Sequence, residues 1–280
     1  MKKIIYILLL ISVSCFSQTN KIVTYNGKIV TYNGKIVTYE YFNPLAKSLF
    51  IRMFPEPTTE RKEWISEAFD SLEYYYQDSI IAMWMLAADN VDNSLLDWYS
   101  DTLDATAINN PYFAQDTGWL SITAGYLDMN YNPSSDIRFK QDTISMHVYS
   151  HTNNFDNAAL LGCSDGNKVE ITAVSNLSLR GRMNISTGSI DVFTSNITGL
   201  ISLSRIGANQ YLFRNGIQID TEVDASTGVP NANIHLLNVT FGVASTNIIQ
   251  FYCIGIIRDP LKLFEIIERY IDHLGTGVIN

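Results

Sequence analysis

The chain has 280 residues, and its 28 acidic side chains outnumber 19 basic ones, which gives a formal net charge of −9 at pH 7. An acidic chain without a basic cluster argues against nucleic acid as a partner and against adhesion to anionic membrane surfaces. The length is enough for one large β domain with a sizeable core, or for one domain and a small attachment.

Residues 1–17 have the pattern of a secretory signal peptide. Lys2 and Lys3 precede the apolar stretch IIYILLLISV, which is too short to span a bilayer comfortably, and small residues follow it. We predict cleavage after Ser17. The alternative is a lipoprotein, in which acylation of Cys15 would anchor the chain; this is the one membrane contact that the sequence suggests. Either reading predicts an exported protein.

Residues 18–44 form a repeat-containing β linker, in which KIVTYNG occurs twice and KIVTY once between Lys21 and Tyr39. Ile, Val, Thr and Tyr favour strands, and Asn-Gly is typical of a two-residue hairpin turn. The pattern predicts a three-stranded meander with turns at Asn26–Gly27 and Asn33–Gly34. The alternative is a duplicated spacer. Exposed strands of this composition seek partner strands, so self-assembly or attachment through Lys21–Tyr39 is our hypothesis.

Residues 45–100 are predicted to be a helical attachment segment. Thr58 and Thr59 mark a helix start, with Glu60 in the first turn where a negative charge suits the helix dipole. Apolar residues then recur at helical spacing. The next apolar stretch, SIIAMWMLAADNVDNSLLDW, contains Trp84, which we assign to the core and not to a cofactor site.

Residues 101–280 are predicted to form an antiparallel β-sandwich with a closing helix. From about Leu120, short alternating runs recur about every ten residues between Gly, Asn, Ser and Asp, which is typical of a sandwich or jelly roll. Asn215–Gly216 is a second hairpin signal. Asp259 and Pro260 are suited to the start of a final helix, and Gly275 to its end.

The sharpest acidic cluster is the DTEVD segment. Asp220, Glu222 and Asp224 alternate, so on a strand their carboxylates lie on one face. Such a set could hold calcium, or could supply the acid pair of a glycosidase. The alternative is an amphipathic strand, with Ile217, Ile219 and Val223 on the opposite face and the three acids in water.

Other residues with chemical potential are isolated. Cys163 and Cys253 lie in apolar surroundings, so they are either a disulfide of an exported protein or two buried thiols. His147 and His151 are four apart, but their segment alternates like a strand and suggests no third zinc ligand. We find no nucleophile elbow, phosphate loop, dinucleotide fingerprint or HExxH motif.

Four segments, in their order along the chain, resemble a family of phage virion structural proteins, tail- or capsid-associated, that contain a concanavalin A-like (laminin-G-like) jelly roll. The likeness spans about residues 45–278. The segments are LFIRMFPEPTTERKEWISEAFDSL, SIIAMWMLAADNVDNSLLDW, DATAINNPYFAQDTGWLSITAGYLDMNYNPSSD and FYCIGIIRDPLKLFEIIERYIDHLGTGV.

The resemblance implies a mainly β fold, a concanavalin A-like antiparallel sandwich with helices at both ends. It implies a non-enzymatic structural or recognition protein, in a virion or exported, whose partner is a glycan or a surface protein. A secreted bacterial lectin or adhesin is the alternative. The laminarinase-type glycosidases share the fold, but their Glu-x-Asp-x-x-Glu strand motif is not found in this sequence, so an enzyme is the third reading.

Overall fold

The computed structural model describes residues 42–122, 124–238 and 244–277, and the backbone of six short strands within 20–40. The chain divides into two compact units, Met1–Phe42 and Asn43–Asn280. The predicted signal peptide, residues 1–17, lies outside the described residues. The helical segment predicted at 45–100 belongs to the same unit as the sandwich, so it is not a separate attachment.

The described residues within 20–40 form two-stranded antiparallel ribbons. Their strands are β1 Asn20–Ile22, β2 Thr24–Tyr25, β3 Lys28–Ile29, β4 Thr31–Tyr32, β5 Lys35–Ile36 and β6 Thr38–Glu40. Strand β2 pairs with β3 and β4 with β5, across the two predicted Asn-Gly positions, whereas β1 pairs with β6.

The three ribbons have the same register. Thr24 is opposite Ile29 and Thr31 is opposite Ile36, and the ribbon made by the two ends of the repeat places Thr38 opposite Ile22. The predicted three-stranded meander is therefore wrong, although the hairpin pairing across both Asn-Gly sites is confirmed. A meander leaves two open strand edges, whereas pairing β1 with β6 gives the terminal strands a partner.

The second unit contains four helices and fifteen strands among its described residues, with a 3-10 turn at Pro133–Ser135. The helices are α1 Pro44–Arg52, α2 Thr59–Tyr76, α3 Val91–Ser94 and α4 Pro260–His273. The strands are β7 Ile80–Met85, β8 Thr106–Ile108, β9 Tyr112–Ala114, β10 Gly118–Leu120, β11 Tyr126–Asp128, β12 Thr143–Ser150, β13 Ala158–Ser164, β14 Lys168–Val174, β15 Ser178–Ile185, β16 Ile190–Phe193, β17 Gly199–Ile206, β18 Asn209–Arg214, β19 Ile217–Val223, β20 His235–Leu236 and β21 Ile249–Gly255.

Two antiparallel sheets form the sandwich. Sheet I has the strand order β19-β18-β17-β12-β21-β10-β9, and β7 also pairs with β21. Sheet II has the order β16-β15-β14-β13-β20-β11-β8. The predicted mainly β sandwich with helices at both ends is confirmed.

One apolar core fills the space between the two sheets. Trp84 is fully buried, stacks on Tyr252 with ring centroids 5.4 Å apart, and donates from Nε1 to the carbonyl of Leu103 at 3.0 Å. Leu127, Leu161 and other residues of sheet II face the same core. Burial of such an apolar layer between the sheets is the main source of stability in a sandwich.

A second buried layer separates the outer face of sheet I from solvent. Strands β7 and β21 are buried at every position, so both of their faces are covered. The helices form this layer. Glu268 of α4 accepts a hydrogen bond from the hydroxyl of buried Tyr149 on β12. Tyr270 of α4 packs edge-on against Trp98, and Phe69 of α2 stacks on Trp98 at 5.3 Å. The outer face of sheet II has no such helical layer among the described residues.

The segment after α2 differs from its prediction. Ile80–Met85 is strand β7 and not part of a helical segment. Its side chains are buried on both faces, between the core and the helices, so the sequence shows an unbroken apolar run without the alternation of a half-exposed strand.

The predicted ends of several elements are confirmed. Asp259 accepts from the backbone N–H of Lys262 at 3.0 Å at the start of α4, and Gly275 follows the helix with φ +75°. Asn215 and Gly216 have φ of +50° and +75°, as a type I′ turn requires, and they join β18 to β19.

Candidate functional site

The predicted acidic cluster lies on β19, the edge strand of sheet I. Asp220 is opposite Leu212 of β18, and Glu222 is opposite Gln210, so both acids are on the inner side of the strand. A bulge shifts the register at Ile219, which packs against the core. The prediction that the apolar residues lie on the face of the strand opposite to the acids is therefore wrong for Ile219.

These acids do not converge on a metal. Asp224 follows the end of β19, where its backbone carbonyl accepts from Arg205 at 2.7 Å. Within the described parts of the chain, no three His, Cys, Asp or Glu side chains are placed to hold a metal ion. The structure therefore gives the calcium prediction at Asp220, Glu222 and Asp224 no support.

His147 is part of a closed polar network under the helix layer. Its Nδ1 lies 2.8 Å from Ser202 Oγ and its Nε2 lies 2.9 Å from Ser145 Oγ. Ser145 itself donates to the carbonyl of Gly255, so it accepts from the histidine, which fixes the proton on Nε2. Complete burial lowers the pKa of His147 to about 3. The ring is a neutral structural group, and His151 lies beyond the end of the strand.

Cys163 and Cys253 are free, buried thiols. Burial raises the pKa of each, so neither is an activated nucleophile. The thiol reading of the sequence is confirmed, and the disulfide reading is wrong.

Asp97 is a buried carboxyl group beside the helix layer. Its Oδ1 accepts from the backbone N–H groups of Met83 at 2.9 Å and Tyr99 at 3.1 Å. Its Oδ2 is buried and has no hydrogen-bond partner among the described residues. Burial raises the pKa of Asp97 from 3.8 to about 7, so the folded protein holds this proton more tightly than the unfolded chain.

This shift predicts a pH-dependent stability. The contribution of Asp97 is fully present below the unfolded-state pKa of 3.8 and is lost as the pH rises through about 7, on the order of 4 kcal/mol. Asp97→Asn keeps the acceptor and removes the charge, so we expect it to be more stable than the native protein at pH 8 and similar at pH 4.5. Urea denaturation at both pH values measures this. Asp101→Asn, at an exposed position, is the control; equal effects of the two changes at pH 8 would contradict the assignment.

A polar row crosses the outer face of sheet II. The register places Asp128 opposite His235, His235 opposite Gly162, Gly162 opposite Glu170, and Glu170 opposite Arg182. Directly opposed residues share one face of a sheet, and the neighbours Leu127, Leu236, Leu161 and Ile171 face the core. We call Asp128, His235, Gly162, Glu170 and Arg182 the cross-strand row.

One end of the row is a charge pair. Arg182 Nη1 donates to Glu170 Oε1 at 2.7 Å, and its Nε donates to the carbonyl of Gly188 at 2.9 Å. The Glu170 side chain is 3% exposed and that of Arg182 is 20% exposed. The buried carboxylate of Glu170 therefore holds the guanidinium of Arg182 in place at the surface of the sheet.

The other end is built around a carboxylate and two rings. Asp128 accepts from the side chain of Asn233 at 3.0 Å, and His235 Nε2 lies 3.9 Å from Asp128 Oδ2. The ring of Tyr126 lies against His235 with centroids 4.6 Å apart. Burial lowers the pKa of His235, although nearby Asp128 acts in the opposite direction, so the imidazole is neutral at physiological pH.

Gly162 separates the two ends. Its φ is +156°, and a Cβ there would lie 2.8 Å from Glu170 Cβ, so a side chain does not fit. The row therefore has no side chain between His235 and Glu170.

The row can supply hydrogen bonds and contact with an aromatic ring. The distance between its two carboxylates differs from that between the catalytic carboxyl groups of a glycosidase. Asp128 and Glu170 are three strand positions apart, or about 14 Å at the usual 4.8 Å between strands. Catalytic carboxyl pairs of glycosidases lie about 5–9.5 Å apart. A half-exposed tyrosine, a neutral histidine, a carboxylate and an anchored arginine instead suit the hydroxyl groups of a sugar.

Comparison with known proteins identifies the fold. No protein-family model matches the sequence, and no curated protein resembles it closely enough to be a relative. The botulinum neurotoxin serotype D binding domain matches with a TM-score of 0.50 and 13% identity, covering 67% of this chain and 52% of that one. The chain has the sandwich of these domains.

Two further solved structures resemble this chain to a similar degree. A structure of botulinum neurotoxin type C, whose cell entry is described as dependent on interaction with two ganglioside molecules, has a TM-score of 0.50 at 16% identity. The match covers 71% of this chain and 52% of that one. A Trypanosoma rangeli sialidase in complex with sialic acid has a TM-score of 0.51 at 9% identity, covering 78% and 39%. This chain thus spans about half the length of the neurotoxin chains. At these identities the likeness shows the fold alone.

No helix in the described part of the chain is long and apolar enough to cross a membrane.

Proposed function

We propose that this protein is a non-enzymatic recognition protein that binds a glycan on the outer face of sheet II. The observation that carries the proposal is the cross-strand row, which brings acceptors, donors and an aromatic ring from four strands onto one partly exposed face. At β7, β12 and β21 the outer face of sheet I is covered by α2 and α4, so it does not offer a comparable surface there. The neurotoxin and sialidase structures are described with gangliosides and with sialic acid, and this supports a glycan as the broad ligand class without fixing its charge.

A glycan array tests the proposal. The full mature chain, labelled at low density on lysines, should bind a small set of glycans. Arg182→Ala should lose that binding and also lower the melting temperature, because it leaves the buried carboxylate of Glu170 without its partner. The double variant Arg182→Ala/Glu170→Gln leaves no unpaired charge, so it should lose binding while its melting temperature stays closer to that of the native protein. Arg269→Ala, which removes an exposed arginine of α4 paired with Glu67, should change neither. Reducing-sugar release from a bound polysaccharide would instead favour the glycosidase reading.

We further propose that the protein acts in a virion or at a cell surface. The support is the ordered likeness of four segments to phage structural proteins and the predicted export signal. Sedimentation of lysate and culture supernatant through a density gradient, followed by peptide mass spectrometry, tests the location. Comigration with particles that contain nucleic acid supports the virion. A soluble or envelope-bound protein supports the secreted lectin or adhesin reading.

The repeat unit gives a prediction about assembly. Deleting Lys21–Gly34 removes two of the three repeats, so the three equivalent ribbons can no longer form. We expect the deleted protein to lose its association with the particle or partner, and the melting temperature of the second unit to be unchanged. Sedimentation and thermal unfolding measure the two effects. Unchanged association after the deletion would make the repeat a spacer.

A further inference from the structure

We infer that the ligand of the cross-strand row is an uncharged glycan, and that glycans bearing carboxylates or sulfates are rejected. This inference rests on the proposed function and adds the charge of the ligand. It follows from how the charged groups of the outer face are paired.

Both arginines of this face are committed to carboxylates. Arg182 is bonded to Glu170 within the row. On the adjoining strand position, Arg180 Nε donates to Asp191 Oδ1 of β16 at 2.8 Å. An anionic sugar would therefore have to compete with an existing carboxylate for either guanidinium. Displacing Glu170 would leave a buried carboxylate without its cation, which costs binding free energy.

The remaining groups of the row do not attract an anion. Asp128 is a half-exposed carboxylate, and it faces the ligand side next to His235. The histidine is neutral because burial lowers its pKa. A second carboxylate placed beside Asp128 would meet like charge, which costs affinity.

Among the described residues, the charges that the strands of sheet II place on this face cancel. They come from residues that the strand register places on this side of sheet II, three cations and three carboxylates: Lys168, Arg180, Arg182, Asp128, Glu170 and Asp191. A face without net charge has no electrostatic preference for an anion. Hydroxyl groups, which both donate and accept, match such a mixed set.

The test compares glycans that differ only in charge. Neutral oligosaccharides and the same oligosaccharides capped with sialic acid or uronic acid are titrated into the full mature chain by calorimetry. We expect the neutral ligand to bind at least about 10-fold more tightly than its acidic counterpart. Preference for the acidic form would overturn the inference and leave the proposed function standing. Binding of neither class would overturn both.

A variant reverses the predicted preference. Glu170→Gln removes the carboxylate that neutralises Arg182, so affinity for the acidic glycan should rise by about 10-fold, the scale of one charge-assisted hydrogen bond. Glu265→Gln is the matched control, since it frees Lys262 of a carboxylate on α4, away from sheet II. An equal gain in both variants, or no gain in a Glu170→Gln protein with a native melting temperature, contradicts the inference. If Glu170→Gln does not fold, the comparison of neutral and acidic glycans on the native protein tests the inference alone.

Discussion

Replacing Trp84 with alanine should lower the free energy of unfolding by about 3–5 kcal/mol, the largest effect that we expect from a single core substitution. Trp84 is completely buried between the two sheets. The change removes its stacking on Tyr252 and leaves the carbonyl of Leu103 without the indole N–H. The surrounding strands are fixed by their ladders, so the cavity can collapse only in part.

Urea denaturation followed by circular dichroism measures this effect. Phe54→Ala is the control, because Phe54 is 80% exposed and its removal should change stability by less than about 0.5 kcal/mol. Similar losses for the two variants would mean that Trp84 does not occupy the centre of the sandwich.

Replacing Asp128 with alanine should weaken glycan binding by about 10- to 100-fold, because a charged acceptor contributes about 1.5–3 kcal/mol to a hydrogen bond. Asp128 is half-exposed at one end of the cross-strand row, where its carboxylate also lies near His235. Loss of this acceptor leaves the ligand hydroxyl unpaired at this end of the row. Calorimetric titration with the best glycan of the array measures the change.

Glu222→Ala is the matched control for Asp128→Ala. Glu222 is an exposed acid on the edge strand of sheet I, away from the row. Its removal should leave affinity unchanged. The reverse result, with affinity lost in Glu222→Ala and kept in Asp128→Ala, would place the binding surface on the DTEVD strand.

The sequence predicts those elements whose signals are local. The final helix has a capping aspartate, a proline at its first position and a glycine after its end, and each acts within one turn. The Asn215–Gly216 turn likewise depends on two adjacent residues. Such features need no knowledge of what packs against them.

Elements whose form depends on tertiary contacts were predicted less well. Strand β7 lacks alternation because the helix layer covers its second face, and that layer is formed partly by α4, about 180 residues later in the chain. The bulge at Ile219 changes which residues of β19 share a face, and nothing in the DTEVD alternation signals it. Both cases show a local pattern overridden by packing.

The candidate site could not be predicted from spacing. Its residues come from β11, β13, β14, β15 and β20, with no common motif among them. Only the pairing register places Asp128 in line with Arg182. Gly162 within an apolar strand was the one available signal, since an isolated glycine there suggests a close approach of the backbone to a neighbour.

The most direct test of the glycan-binding account is chemical-shift mapping on the full mature chain. The neutral glycan that binds best is titrated against protein labelled at histidine and tyrosine rings. Binding at the cross-strand row should give saturable shifts of His235 and Tyr126, with the buried ring of His147 unchanged. Shifts confined to His273, which stacks on Trp64 between α2 and α4, or to Tyr211 of β18 would contradict it and move the site to sheet I or its helices.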